Sequence, residues 1–290
     1  MVGLLQYNAP IESSVTAGHI HSITSDRKLS DRTVRFAGFR ERRSVSIEKK
    51  RCDRNPHCGY DTRVTLSVIL PCFNEEQNIV LSVRDVETWM KKEKIKGEII
   101  VVNDGSTDKS LTILKELQKI VPLLRIVNLK KNGGYGIAVR AGCDAAVTDV
   151  ISFMDSDLQF HAKDLSFLLE HIDNYAFVTG RRIHRADSFV RNAFGKILGA
   201  MNVLVLGLWV RDVNCGMKLF RRDIWKTIRP VHGVEKLFNT EMFLRLKRNK
   251  IPWFTVNVPH YPRIAGKPTG GSVRVIIRMF KELWDLRTSH

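Results

Sequence analysis

An α/β fold with a mostly parallel central sheet follows from three features of this 290-residue sequence. Short β-branched apolar runs alternate with stretches of helical period from Val64 to Thr179. The runs have the length of buried strands, and the intervening stretches are long enough for right-handed crossover helices. Polar and acidic residues collect just after the apolar runs, where ligands meet sheets of this kind.

The elements follow in order. Residues 1–62 are rich in Ser, Arg and Lys, with few large apolar side chains, and predict a disordered or loosely ordered basic segment. Val64–Leu70 is the first strand, ended by Pro71. Glu75–Lys92 has helical spacing, with Ile79, Val83, Val86, Trp89 and Met90 on one face. Asn74 is placed to cap this helix. Glu98–Val102 is the second strand. Thr107–Ile120 is the second helix, capped by Ser106 or Thr107, with Leu111, Leu114, Leu117 and Ile120 along one side. Leu124–Leu129, Val150–Met154 and Ala176–Thr179 complete the strands, with a helix at Tyr135–Val147. Residues 63–271 thus form a single domain. Residues 272–290 form a C-terminal helix, with Val273, Ile276, Ile277, Phe280 and Trp284 on one side and Arg274, Arg278, Lys281 and Arg287 around it.

The net charge of +17 and the pI near 9.9 call for an anionic partner: nucleic acid, an acidic membrane surface or a phosphorylated substrate. No nucleic-acid reader motif or aromatic-interleaved basic patch is present, which disfavours the first. Five scattered cysteines suit a reducing compartment better than a disulfide framework. No run of about twenty apolar residues and no evident secretory signal appear. The expected location is therefore cytoplasmic, peripheral on the inner face of a membrane.

Three strand ends carry the chemistry: Pro71-Cys72-Phe73-Asn74-Glu75-Glu76, Asn103-Asp104-Gly105-Ser106-Thr107-Asp108 and Asp155-Ser156-Asp157-Leu158-Gln159. A bare Asp-x-Asp is usually two solvated loop residues. At the end of a buried strand, two carboxylates one residue apart repel each other and resist desolvation. A hard divalent cation, Mg2+ or Mn2+, resolves that conflict, with Gln159 adding a third oxygen. The ribose hydroxyls and base N–H groups of a nucleotide need acceptors of the kind the other two loops offer. Lys130-Lys131-Asn132-Gly133-Gly134-Tyr135-Gly136 opens the third helix with a tight turn and lysines where a diphosphate would lie. The spacing matches neither a P-loop nor Gly-x-Gly-x-x-Gly.

Residues 65–84, 99–109, 129–142 and 151–160 resemble the family 2 inverting glycosyltransferases of the GT-A fold. Thr179-Gly180-Arg181-Arg182, Asp212-Val213-Asn214-Cys215-Gly216-Met217-Lys218-Leu219-Phe220 and Asn239-Thr240-Glu241-Met242 resemble the polyprenyl-phosphate sugar transferases of the dolichol-phosphate mannose synthase type. The resemblance implies that Pro71, Asn74, Glu75 and Asp104 hold the nucleoside, with Lys131 at the diphosphate. It implies that Asp155, Asp157 and Gln159 form the metal site, and that Arg182 binds phosphate, with Arg181 its competitor. Arg191 acts similarly, and Arg263 stands on a mobile closing loop with Lys267 beside it. Asn103 replaces a customary acid, Phe160-His161 a customary proline, and Pro268-Thr269 a customary Ser-Lys.

The implied activity moves a sugar from a nucleoside-diphosphate sugar to a polyprenyl phosphate, whose ionised oxygen needs cationic guidance more than a base. A glycan or glycolipid hydroxyl, as in cell-envelope polysaccharide synthesis, is the alternative acceptor. It would need a carboxylate base, for which Asp212 is the candidate. The basic amphipathic stretches Phe189–Val210 and Val273–Arg287 fit an anionic bilayer surface, an integral membrane partner or a second copy of the chain.

Overall fold

The computed structural model describes residues 64–183, 199, 201–233, 237–263 and 287–288. The basic segment 1–62, Arg191, Lys267 and nearly all of residues 272–290, where a helix is expected, lie outside the described residues.

The described chain forms a mixed sheet of seven strands in the order β3-β2-β1-β4-β6-β5-β7. These are β1 (Leu66–Cys72), β2 (Gly97–Asp104), β3 (Leu124–Leu129), β4 (Val150–Phe153), β5 (Phe177–Ile183), β6 (Lys218–Arg221) and β7 (Trp253–Pro259). Only β6 runs antiparallel to its neighbours, between β4 and β5. The mostly parallel α/β expectation is met. The strands β6 and β7 were not legible in the sequence as strands. β6 spans only four residues, and β7 is amphipathic at its margin rather than a solid apolar run.

Alternation along β1 divides the core. Leu66, Val68, Leu70 and Cys72 face α1 (Ile79–Lys92) and α2 (Ser110–Ile120). Ile69 faces the other layer, with α3 (Tyr135–Ala145), α5 (Trp225–Ile228) and α6 (Leu237–Arg248). A short α4 (Leu165–Leu169) closes the first layer. The five apolar residues expected on one face of α1 are all buried. On α2, Leu114 and Leu117 are buried, but Ile120, the last residue of the helix, is 63% exposed.

Several boundaries differ from expectation. β1 continues through Pro71, which pairs in register with Val102. Pro71 lies two residues beyond Ile69, the last β1 partner of β4, so its missing donor interrupts no ladder. The helices α1 and α2 begin three or four residues late, and neither Asn74 nor Ser106 nor Thr107 caps them. Those side chains bind across to each other's loop instead. α3 ends at Ala145, where Val147 donates its N–H to Glu98.

Candidate functional site

The C-terminal ends of the parallel strands, with the loop that enters β6, place seven short segments at one sheet edge. The segment after β1 is locked to the one after β2. Asn74 adopts a left-handed backbone (φ 55°), which asparagine tolerates. Its Oδ1 accepts the Thr107 N–H at 2.8 Å, and its own N–H donates to Ser106 Oγ at 3.0 Å. Glu76 and Asp108 complete the exchange: Glu76 Oε2 accepts the Lys109 N–H, and Asp108 Oδ2 accepts the Glu76 N–H.

Asp104 is buried at the end of β2. Its two oxygens accept the Gly133 and Gly134 N–H groups at 2.8 and 2.9 Å. Burial raises its pKa, and the two backbone donors pull it back. Gly105 (φ 65°) lets the next loop pass: a Cβ there would meet the Asn132 nitrogen at 2.6 Å. Asn103 is buried and donates to Asn128 Oδ1 at 2.7 Å. Lys131 is exposed at the rim of this loop. Asp104 therefore builds the glycine turn beside it, a role its sequence position did not announce.

After β4, the turn carries Asp155 and Asp157. Asp155 keeps part of its residue surface exposed, while its carboxylate is desolvated. Burial, then the charge of Asp157, push its pKa up to about 6, against the pull of Arg182, Lys218 and the Tyr135 hydroxyl. Gly216 backs the carboxylate so closely that a Cβ would stand 2.1 Å from Asp155 Oδ2. Asp157 is 5% exposed. Its Oδ1 accepts the Gln159 N–H at 3.0 Å, and its Oδ2 meets Arg263 Nη2 at 2.6 Å. Arg263 Nη1 also lies 3.5 Å from Glu75 Oε1. Burial raises the Glu75 pKa, with Asp157 adding to the rise and Arg263 opposing it. Gln159 exchanges contacts with Tyr261: it accepts that residue's N–H at 3.0 Å and donates from Nε2 to its carbonyl at 3.4 Å. Gln159 thus links the carboxylate turn to the segment bearing Arg263.

The end of β5 carries Arg181 and Arg182. Arg182 Nη2 and Nε grip Asp212 Oδ1 and Oδ2 at 2.7 and 2.9 Å, and the Arg182 backbone N–H donates to Oδ2 at 3.0 Å. Both partners are only 10% exposed, so solvent screens this fork weakly. Half-buried Arg181 makes no side-chain hydrogen bond or ion pair among the described residues.

The donor set suits a hard cation. Asp155 and Asp157, one residue apart, present two desolvated carboxylates, and the Arg263 guanidinium at Asp157 puts a positive charge where a metal ion is called for. No trio of His, Cys, Asp and Glu side chains converges among the described residues, so further ligands would come from Gln159 or from a bound diphosphate. Cys72, Cys143 and Cys215 are free and buried, and burial pushes the Cys72 and Cys215 thiols up to about 12. They are inert packing residues.

Four contributors escaped the sequence reading. Gly216 stands behind Asp155, and the buried Tyr135 hydroxyl lies near enough to bear on its carboxylate. Lys218 is fully buried behind the Asp212–Gly216 loop. Glu241 accepts the Val231, His232 and Gly233 N–H groups and Arg245 Nε, within 2.9 Å. The one signal available was composition: a lysine between apolar residues at 217–220 and a glutamate inside an apolar helix face are costly to bury without partners.

Comparison with known proteins agrees with this geometry. Residues 67–229 match the family described as Glycosyl transferase family 2. Dodecaprenyl-phosphate galacturonate synthase of Rhizobium johnstonii is 32% identical over 168 residues, 57% of this chain and 50% of that protein. Undecaprenyl-phosphate 4-deoxy-4-formamido-L-arabinose transferase of Photorhabdus laumondii is 28% identical over 229 residues, 77% of this chain and 68% of that protein. A dolichyl-phosphate beta-glucosyltransferase of Trichomonas vaginalis is 29% identical over 214 residues, 68% of this chain and 65% of that protein. The chain thus spans from half to about two thirds of the length of these curated relatives. Glucosyl-3-phosphoglycerate synthase of Mycobacterium tuberculosis shares the fold, with TM-score 0.57, 24% identity and coverage of 77% of this chain and 81% of its own. That enzyme has also been crystallised with Mn2+, uridine diphosphate and glucosyl-3-phosphoglycerate, at TM-score 0.55 and 22% identity. With more than half of its length matched, and with the matched region carrying the strand-end carboxylates and the Arg182–Asp212 fork, the chain belongs to glycosyl transferase family 2.

Proposed function

We propose that this protein is an inverting glycosyltransferase that moves a sugar from a nucleoside-diphosphate sugar to a polyprenyl phosphate at an anionic membrane surface. The observation that carries the reading is the pairing of two opposite half-sites on one sheet edge. The carboxylates Asp155 and Asp157 end β4, and the arginines Arg181 and Arg182 end β5. Relatives of this chain bear names that specify polyprenyl-phosphate acceptors.

The loops bearing Pro71, Asn74, Glu75 and Asp104 hold the nucleoside, and Lys131 reaches the diphosphate. Asp155 and Asp157, with Gln159, would hold a divalent cation, Mg2+ or Mn2+, which would supply Lewis-acid neutralisation of the leaving diphosphate. Arg182, with Arg181 beside it, orients the acceptor phosphate. An ionised phosphate oxygen forms the new bond to the anomeric carbon as the bond to the diphosphate breaks. No proton has to be removed, because a phosphate monoester is largely ionised near neutral pH, with a second pKa of about 6. Asp212 serves this step by holding the Arg182 fork. A sugar hydroxyl acceptor would need Asp212 as a base, and both its oxygens are occupied by Arg182.

Membrane contact has support in the segment leading to Asp212. Leu204 is 82% and Trp209 65% exposed, and the Arg211 guanidinium lies 5.6 Å from the Trp209 ring. An exposed aromatic with a cation on its face suits a headgroup boundary. No helix among the described residues is long and apolar enough to cross a membrane.

The test is a transfer screen: UDP-glucose, UDP-galacturonate and GDP-mannose, each with Mg2+ or Mn2+ and farnesyl phosphate in detergent. Metal-dependent formation of a farnesyl-phosphate glycoside is expected with one donor. Transfer to glycan hydroxyls but not to the lipid phosphate would overturn the acceptor assignment.

A further inference from the structure

Lys218 lies where the two half-sites meet. On β6 its Cα pairs in register with Phe153, two residues before Asp155, and with Thr179, three residues before Arg182. Its side chain is fully buried. Nζ donates to the Val213 carbonyl at 3.1 Å and the Cys215 carbonyl at 2.6 Å. It also lies 5.5 Å from the Phe153 ring centre and 5.7 Å from that of Phe243. Its own carbonyl accepts the Ser152 hydroxyl on β4.

Burying an ammonium costs several kcal/mol unless its surroundings compensate. Burial lowers the Lys218 pKa to about 8, while Asp212 and Asp155 hold it up. The protein keeps a charged, hydrogen-bonding group in a pocket whose aromatic walls would accept a methionine. Both carbonyls that it holds belong to one short loop. That loop begins at Asp212, the partner of Arg182, and continues to Gly216, where a Cβ would stand 2.1 Å from Asp155 Oδ2. A slip of this loop would move Asp212 and, with it, the arginine fork.

We infer that Lys218 is a positioning residue for sugar transfer: its ammonium ties the Asp212–Gly216 loop to the sheet and so sets the Arg182 fork against Asp155. The inference rests on the glycosyltransferase reading above. It assigns Lys218 no contact with donor or acceptor.

The experiment compares wild type with K218Q and K218R. The readouts are thermal unfolding, calorimetric binding of UDP with Mn2+, and transfer kinetics with farnesyl phosphate and the donor found active in the screen. K218Q loses the charge and one atom of reach. It is expected to fold, to bind UDP and Mn2+ within threefold of wild type, and to show a KM for farnesyl phosphate raised at least tenfold. K218R, which keeps charge and donors, is expected to recover most of that loss. An unchanged acceptor KM in K218Q overturns the inference, as does a parallel loss of nucleotide binding and acceptor KM. If K218Q does not fold, F243L removes one ring over the ammonium and carries the same readout: a raised acceptor KM with intact nucleotide binding supports the inference, and wild-type kinetics overturn it. A wild-type protein that transfers nothing to farnesyl phosphate sinks the functional reading instead, independently of Lys218.

Discussion

Arg263 reaches across the site to Asp157, Nη2 to Oδ2 at 2.6 Å, and its other nitrogen leans toward Glu75. One guanidinium thereby offsets the charge of two carboxylates, Asp157 and Glu75. A cation arriving at Asp157 has to compete with this arginine. R263A is therefore expected to tighten Mn2+ binding about tenfold, a change of about 1.4 kcal/mol, while lowering transfer. Electron paramagnetic titration of Mn2+ measures the first effect; equal affinity in both proteins would show that Arg263 does not compete.

Asp157→Ala removes one carboxylate, the Arg263 contact and the acceptor of the Gln159 N–H. The residue packs at the rim of the sheet rather than in an apolar layer. Unfolding temperature is expected to change little, while metal-dependent transfer falls at least about a hundredfold. Normal turnover would remove Asp157 from the site.

Gly216→Ala puts a methyl group 2.1 Å from Asp155 Oδ2. Either the loop or the carboxylate has to move. The expected cost is about 1–3 kcal/mol of stability, with loss of transfer well beyond that stability change. Chemical denaturation beside an activity assay separates the two.

Asp155 carries a pH signature in protein stripped of metal with EDTA. Its folded pKa, about 6, lies above the ordinary value of 3.8. Between these values the folded state holds a proton that the unfolded chain releases. Stability should thus be greatest near pH 4 as far as this group is concerned, and fall as the pH rises through 6. The contribution is on the order of 3 kcal/mol. D155N should flatten that part of the stability profile, and an unchanged slope would place the carboxylate in a more polar setting.

Asp212→Asn distinguishes a holder from a base. An asparagine still accepts a hydrogen bond from Arg182 but has no basicity. Transfer to farnesyl phosphate is expected to fall about tenfold through the acceptor KM, with no change in the shape of the pH–rate profile, in line with one charged hydrogen bond of about 1.5–3 kcal/mol weakened in part. Abolished kcat would restore the base role.

How far the sequence reached varies by kind of interaction. The parallel strands and the buried face of α1 were legible because period and burial coincide. The carboxylate pair was legible because charge at the end of an apolar run is unusual. What escaped depends on contacts between segments far apart in the chain. Asn74 looked like a helix cap because nothing local shows that Thr107 is its partner. Asp104 looked exposed to ligand because nothing local shows that Gly133 and Gly134 donate to it. Asp212 looked available as a base until β5 brought Arg182 against it. Lys218 carried no local signal of the loop it binds, and β6 itself was too short to announce.

That short strand has a consequence for substrate size. With neighbouring strands about 4.8 Å apart, one intervening strand separates the ends of β4 and β5 by about 10 Å. β6 therefore works as a gauge block between the site of the leaving group and the site of the attacking group. The span is fixed by backbone pairing, which side-chain substitutions leave untouched. Changes in the surrounding loops can retune which sugar fits, while the distance the sugar must bridge stays constant.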